Sequence, residues 1–208
     1  MSLNEPRHVG VFAQLTPDRP AIIMADGSRT ISFAEYEAIS NQCAWLLREC
    51  GLVRGDNAAV FMENHPLYLP LVWGAMRAGL RLTTIATHLG PEEIDYILSD
   101  CEAKVVFVSA GKAPILNACR RAGLDNSRCF VADGSHAPFE NLEQALAAVP
   151  SMPISDQSEG VEMLYSSGTT GRPKGVKKTL PETPFGYPAP GVYASMARFG
   201  FDENARYL

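Results

Sequence analysis

The sequence predicts an α/β fold, a mostly parallel sheet with helices on both faces, and three observations carry that prediction. The run Lys104-Val105-Val106-Phe107-Val108 is continuously apolar after its first residue, the pattern of a strand buried on both sides. Phe33, Tyr36, Ile39, Cys43, Leu46, Leu47 and Cys50 recur at helical spacing and form one apolar stripe. Strand candidates then alternate with helices of ten or more residues, which implies βαβ crossovers.

Taken in order, Val9, Phe12 and Leu15 fall three apart and predict a short helix that ends before Pro17. Ala21, Ile22, Ile23 and Met24 on one side of Asp26-Gly27, with Thr30 and Ile31 on the other, predict a hairpin. Ser32-Phe33-Ala34-Glu35 has the form of a capping box and opens the striped helix, which Gly51 stops. Trp45 lies off the stripe, among Asn41, Gln42, Arg48 and Glu49 on the polar face. It is covered either by a neighbouring element or by a second subunit, so a homo-oligomer stays open.

Gly55-Asp56 turns the chain into a strand at Ala58-Ala59-Val60-Phe61. Pro66 suits the first turn of a helix reaching Ala78 and closed by Gly79, with Pro70 delaying its start or bending it. A strand over residues 80–85 follows. Pro91-Glu92-Glu93 opens the next helix with two carboxylates in its positive first turn. After the strand at Lys104 come a helix over residues 114–123, a short strand at Cys129-Phe130-Val131 and a helix over residues 142–149. Residues 151–160 form a polar connector. Val192, Met196 and Phe199 make a last short stripe, closed by Gly200.

The 208 residues suffice for a substantial core, with 46% apolar and 20% charged residues. A net charge of −5 and a pI of 5.4 argue against nucleic-acid binding, which normally needs a basic face. The longest apolar run, residues 67–76, is interrupted by Pro70 and is too short to span a bilayer. Five cysteines without a C-x-x-C pair read as reduced thiols of a cytosolic protein with no zinc site. The four histidines, His8, His65, His88 and His136, lack metal-ligand spacing and read as surface or capping residues.

The chemistry concentrates in Tyr165-Ser166-Ser167-Gly168-Thr169-Thr170-Gly171-Arg172-Pro173-Lys174-Gly175. Glycines let the backbone approach a ligand closely, successive N–H groups form an anion nest, and hydroxyls add donors. Lys174 supplies a mobile positive charge. Together they read as a polyphosphate cradle, mobile until nucleotide binds. A Walker A loop is excluded, because Pro173 precedes the lysine, Gly175 follows it, and Val176 begins a strand rather than a helix. The expected local structure is strand–loop–strand. A flexible Ser/Gly/Thr linker is the plain alternative, but a linker has no need of this order of residues.

These eleven positions resemble the phosphate-binding signature of the adenylate-forming superfamily, which includes acyl-CoA and aryl-CoA ligases and the amino-acid-activating domains of peptide synthetases. The order of capped helix, Gly55-Asp56 strand, Pro91-Glu92-Glu93 helix and Lys104 strand is similar to the first half of that superfamily's large N-terminal domain, over residues 5–180. The resemblance implies residues 1–160 as a first α/β subdomain, 161–180 as strand–phosphate loop–strand, and 181–208 as a Pro-rich loop and the start of a truncated next subdomain. It implies an N-terminal fragment of an ATP-dependent acid–CoA ligase, most like a long-chain fatty-acid enzyme, inactive alone and carrying no catalytic residue or metal ligand of its own. Its cofactors would be ATP, Mg²⁺ and coenzyme A, and its partner a small carboxylic acid, a fatty acid foremost.

In that reading Ser166, Ser167, Thr169 and Thr170 donate hydroxyl bonds, Gly168 and Gly171 admit the phosphates, Lys174 offsets departing charge, and Arg172 faces solvent. An aryl- or amino-acid-activating domain, and a non-catalytic nucleotide-binding module, are the alternatives. The sequence departs from the superfamily after Gly175, where Lys177-Lys178-Thr179-Leu180-Pro181 replaces a hydroxyl and a histidine. Phe185, Tyr187 and Tyr193 read as loop packing rather than as pocket lining.

Overall fold

The computed structural model describes residue 6, residues 8–119, 124–166 and 173–187, and residue 198. A short helix, α1 (Val9–Leu15), precedes an antiparallel hairpin of β1 (Pro20–Ile23) and β2 (Thr30–Ser32). Gly27 turns it at φ 73°, a left-handed value that glycine adopts without a Cβ clash. Helix α2 (Phe33–Glu49) follows, capped by the Ser32 hydroxyl, which accepts from the Glu35 N–H. The other half of the expected box is given up: the Glu35 carboxylate holds Arg29 at 2.6 Å instead. Gly51, at φ 77°, ends the helix as the sequence predicts.

The main sheet has six strands, β3 (Asn57–Phe61), β4 (Arg81–Thr84), β5 (Ala103–Ser109), β6 (Cys129–Ala132), β7 (Glu140–Asn141) and β8 (Val161–Glu162). Their order is β7-β6-β5-β3-β4-β8, and every neighbouring pair is parallel. Helix α3 (Tyr68–Arg77) joins β3 to β4, and α4 (Pro91–Asp100) joins β4 to β5. Helices α5 (Ala113–Ala118) and α6 (Leu142–Ala147) follow β5 and β7. As Pro70 forecasts, α3 starts late, at Tyr68. The two-residue strands β7 and β8 are too short to leave a pattern in the sequence.

Side-chain alternation divides the sheet's core in two. Ala58, Val60, Leu82, Val105 and Phe107 pack with Leu46, Leu47, Leu71 and Leu142 from α2, α3 and α6. Ala59, Phe61, Val106 and Val108 pack with Ile94, Ile97, Leu98 and Leu116 from α4 and α5. Each fully buried aliphatic side chain of this kind contributes about 1.5–3 kcal/mol. The five thiols are unbridged. No helix among the described residues is long and apolar enough to cross a membrane. Val192, Met196 and Phe199, the expected last stripe, lie outside the described residues.

Two side chains on the polar face of α2 lie where the periodicity puts them, but under cover rather than in solvent. Asn41 is 2% exposed, and Trp45 is half-buried with its indole N–H donating to the Met152 carbonyl at 2.8 Å. The connector of residues 151–160 covers this face, because Arg48 also reaches Asp156 at 3.0 Å. Trp45 is thus covered from within the chain. At the crossing of α2 and α3, a Cβ on Gly74 would run into the Cys43 side chain and lie 2.9 Å from the Ser40 carbonyl oxygen. The glycine lets the helices approach.

Beside that crossing lies the one fully buried cation among the described residues. Arg77, 0% exposed, donates from two nitrogens to both Glu37 carboxylate oxygens, at 2.9 and 2.5 Å, and also to Asn41 Oδ1. Asn41 Nδ2 in turn donates to the Ser151 carbonyl at 3.0 Å. Removing one partner of a buried pair strands the other charge, so Glu37→Ala should cost about 3–5 kcal/mol. Urea unfolding measures this, and a loss below about 1 kcal/mol would show that the pair is dispensable.

Candidate functional site

The expected strand–loop–strand is present. Strands β9 (Leu164–Ser166) and β10 (Lys174–Val176) pair antiparallel, with Ser166 opposite Lys174, Tyr165 opposite Gly175 and Leu164 opposite Val176. Alternation leaves Leu164, Ser166, Lys174 and Val176 exposed on one side. The first and last members of the predicted cradle, Ser166 and Lys174, therefore stand side by side at the mouth of the loop. Ser167, Gly168, Thr169, Thr170, Gly171 and Arg172, together with the expected mobility of this loop, lie outside the described residues.

The chain reaches this hairpin along the sheet. Gly160 threads past α3 where a Cβ would come 2.5 Å from the Leu80 carbonyl oxygen and 2.9 Å from Met76 Cα. Strand β8 pairs with β4, and the Met163 N–H donates to the Leu82 carbonyl at 2.9 Å. Because β8 runs parallel to β4, the chain leaves both strands at the same sheet edge. Open parallel sheets bind ligands at that carboxyl edge. A crevice of about 670 Å³ lies there, lined by Glu63, Asn64, Tyr68, Thr84, Thr87 and His88 among others. Burial acts to raise the Glu63 carboxyl, but the Ser109 hydroxyl and Lys112, 3.4 Å away, prevail and hold it below the usual range. Glu63 is ionised at neutral pH.

The segment that leaves the hairpin is tied down as firmly. Arg54 donates to the Pro181 carbonyl at 2.6 Å, and the Gly186 N–H donates to Glu159 at 2.7 Å. Burial pushes the Glu159 carboxyl up, with the Gly186 N–H opposing. Phe185 is buried, its ring centre 5.1 Å from the Arg77 guanidinium carbon, edge-on to Trp73 and 5.0 Å from His8. The packing role expected of this aromatic residue is what the structure gives. His8 caps α1, its Nδ1 accepting from the Gly10 N–H, and His65 Nδ1 accepts from the Leu67 N–H while Nε2 meets Asp133 at 2.7 Å. With both ring nitrogens engaged, His65 is a structural residue.

Sequence reasoning missed Glu37, Asn41 and Arg77 as a unit, because a charge ending an amphipathic helix reads as solvated. It also missed Asp100 and Glu159, which bond to the hairpin and to the segment leaving it. The Glu37 and Asn41 pair, four apart on α2, was the one available signal.

The described residues thus form a parallel α/β sheet with the β9–β10 hairpin at its carboxyl edge. Residues 11–182 match the profile of the AMP-binding enzymes, and the chain belongs to that family. It is 31% identical over 167 residues to the long-chain-fatty-acid–CoA ligase FadD13 of Mycobacterium tuberculosis, covering 80% of this chain and 33% of that protein. It is 29% identical to the 2-succinylbenzoate–CoA ligase of Bacillus velezensis, covering 100% of this chain and 39% of that one. The chain thus spans about a third of the length of these curated relatives. Among solved structures, the inhibitor-bound N-terminal domain of FACL13 from Mycobacterium tuberculosis superposes with a TM-score of 0.68 at 30% identity, over 81% of this chain and 42% of that one.

The clasp around Phe185 carries a pH signature. Burial lowers the pKa of His8 below its ordinary 6.5, with Glu37 opposing and Arg77 assisting. The folded chain then binds fewer protons at His8 than the unfolded chain, so stability is lost as pH falls through the unfolded value. Unfolding free energies measured between about pH 7 and 5 should decline more steeply for the unaltered chain than for His8→Gln. Equal slopes would show that His8 is not held neutral.

Proposed function

We propose that this chain is the phosphate-binding part of an ATP-dependent acid–CoA ligase. The observation that carries the reading is the pairing of Ser166 with Lys174 at the mouth of a Gly/Thr-rich loop, at the carboxyl edge of a parallel sheet. In the complete enzyme a carboxylate attacks the α-phosphorus of ATP, the bond to the β-phosphate oxygen breaks, and pyrophosphate leaves. A thiol, that of coenzyme A, then attacks the acyl carbonyl and AMP leaves. The charge that develops on the departing phosphates needs donors fixed in place beforehand. Ser166, Ser167, Thr169 and Thr170 would supply hydroxyls, Gly168 and Gly171 would let backbone N–H groups close in, and Lys174 would offset the charge.

Mg²⁺ would neutralise the same phosphates when bound. The described residues contain no group of three or more His, Cys, Asp or Glu side chains that could hold a metal ion. The domain division follows the same reading: residues 1–160 as scaffold, 161–180 as the phosphate unit, and 181–208 leading into the next subdomain. A fatty acid is the acid favoured, on the likeness to the mycobacterial long-chain ligase.

A charge-assisted bond is worth about 1.5–3 kcal/mol, so Lys174→Ala should weaken MgATP binding by about ten- to a hundredfold in equilibrium dialysis. The chain itself should show no ATP–pyrophosphate exchange with fatty or aryl acids, since one preorganised donor alone accounts for about 10²–10³ in rate and the acid still has to be held in line. Exchange that disappears in Lys174→Ala would overturn the proposal that these residues are inactive alone. MgATP binding without exchange in any longer form would favour a non-catalytic nucleotide-binding module.

A further inference from the structure

Two strands of three residues do not hold themselves together in water, so something besides the β9–β10 ladder must fix the stem of the phosphate loop. On the face opposite Ser166 and Lys174, the stem carries only Tyr165 and Gly175, paired across the ladder. A Cβ at Gly175 would lie 2.7 Å from Met163 Cε, 2.8 Å from Tyr165 Cζ and 2.9 Å from the tyrosine hydroxyl oxygen. The aromatic ring, with the end of Met163 beside it, thus covers the glycine, a pairing that pins register in sheets. Any larger residue at position 175 would push the ring and the Met163 methyl away.

The ring also packs against the core that includes Ile94, Ile97 and Leu98 of α4. Its hydroxyl donates to Asp100 Oδ2, on the last residue of that helix, at 2.5 Å. Burial and the bond to Asp100 both push the phenol's pKa up, so it stays protonated and remains a donor. The glycine after Lys174, which the sequence pattern groups with the phosphate-binding residues, serves the tyrosine instead.

We infer that Tyr165 is a positioning residue for the phosphate loop: its ring over Gly175 and its hydroxyl on Asp100 fix the stem against α4, so that Ser166 and Lys174 are presented together on the free face. The inference rests on the reading of residues 166–174 as a phosphate cradle. Its physical content is an orientation set from behind. The ladder fixes which residues are opposite one another, and the Asp100 bond fixes how the stem is rotated about its own axis.

The test compares Tyr165→Phe, which keeps the ring, with Asp100→Ala, which removes the acceptor, and Asp100→Asn, which keeps an acceptor oxygen. Hydrogen–deuterium exchange of residues 163–176 and MgATP affinity are measured on the same 208-residue chain. Loss of a charge-assisted bond predicts about tenfold faster exchange in this segment for Tyr165→Phe and Asp100→Ala, with about tenfold weaker MgATP binding. Exchange of β3 and β5 and the melting temperature should not move, and Asp100→Asn, which keeps a neutral acceptor, should fall between the unaltered chain and Asp100→Ala. Unchanged exchange in Tyr165→Phe would overturn the inference. So would faster exchange spread over the whole sheet, which marks a general packing role. Failure of the unaltered chain to bind MgATP would instead overturn the phosphate-cradle reading, while the exchange contrast still decides whether Tyr165 sets the stem.

Discussion

The bidentate contact between Arg77 and Glu37 is the junction on which the arrangement around the sheet depends. It joins α2 to α3 at their close crossing, and through Asn41 it reaches the connector at Ser151. Phe185, from the far side of the phosphate loop, closes over the same guanidinium. A guanidinium that is fully desolvated must keep all these neighbours, because water is not available to replace any of them. Segments distant in sequence are therefore held to one geometry by the demands of a single charge. Apolar packing alone would tolerate sliding that a five-donor planar group does not.

The phosphate-loop stem is built between two anchored flanks. Upstream, the fit of Gly160 against α3 and the β4–β8 pairing set where the chain arrives. Downstream, Arg54, Glu159 and Phe185 set where it departs. On the proposed reading, the residues offered to the phosphates can be small and polar because rigidity is supplied by groups on the other side of the stem. Binding loops on rigid scaffolds follow this division generally.

The sequence made the larger architecture readable because it is set by periodicity. The run at Val105-Val106-Phe107-Val108 could only be a two-sided strand, and the stripe from Tyr36 to Leu47 only a core-facing helix. Glycine placed the end of α2 at Gly51, and Pro70 allowed for a start of α3 later than Pro66 without placing it at Tyr68. Asn41 read as solvent-facing because a helical wheel knows one buried face, whereas α2 is covered on a second side by residues from beyond position 150, the cover by a neighbouring element that was one of the two readings of Trp45. Asp100 was invisible for a related reason: a carboxylate at a helix end looks solvated until a distant tyrosine is brought to it. The residue types from Ser166 to Lys174 were evident in the sequence, but the placement of the β9–β10 stem is a long-range property.

The pairing of β8 beside β4 has a kinetic side. Asn57 pairs with Arg81, 24 positions on, whereas Leu82 pairs with Glu162 at a separation of 80. The longer closure costs only about 1 kcal/mol more in chain entropy, but β8 recovers it through just two residue pairs. The strands β3 to β6 pair over shorter separations, which favours their assembly ahead of the β8 edge. The same asymmetry runs in reverse on opening. An edge held by so few pairs is the expected place for local opening, with the inner strands the expected last to open.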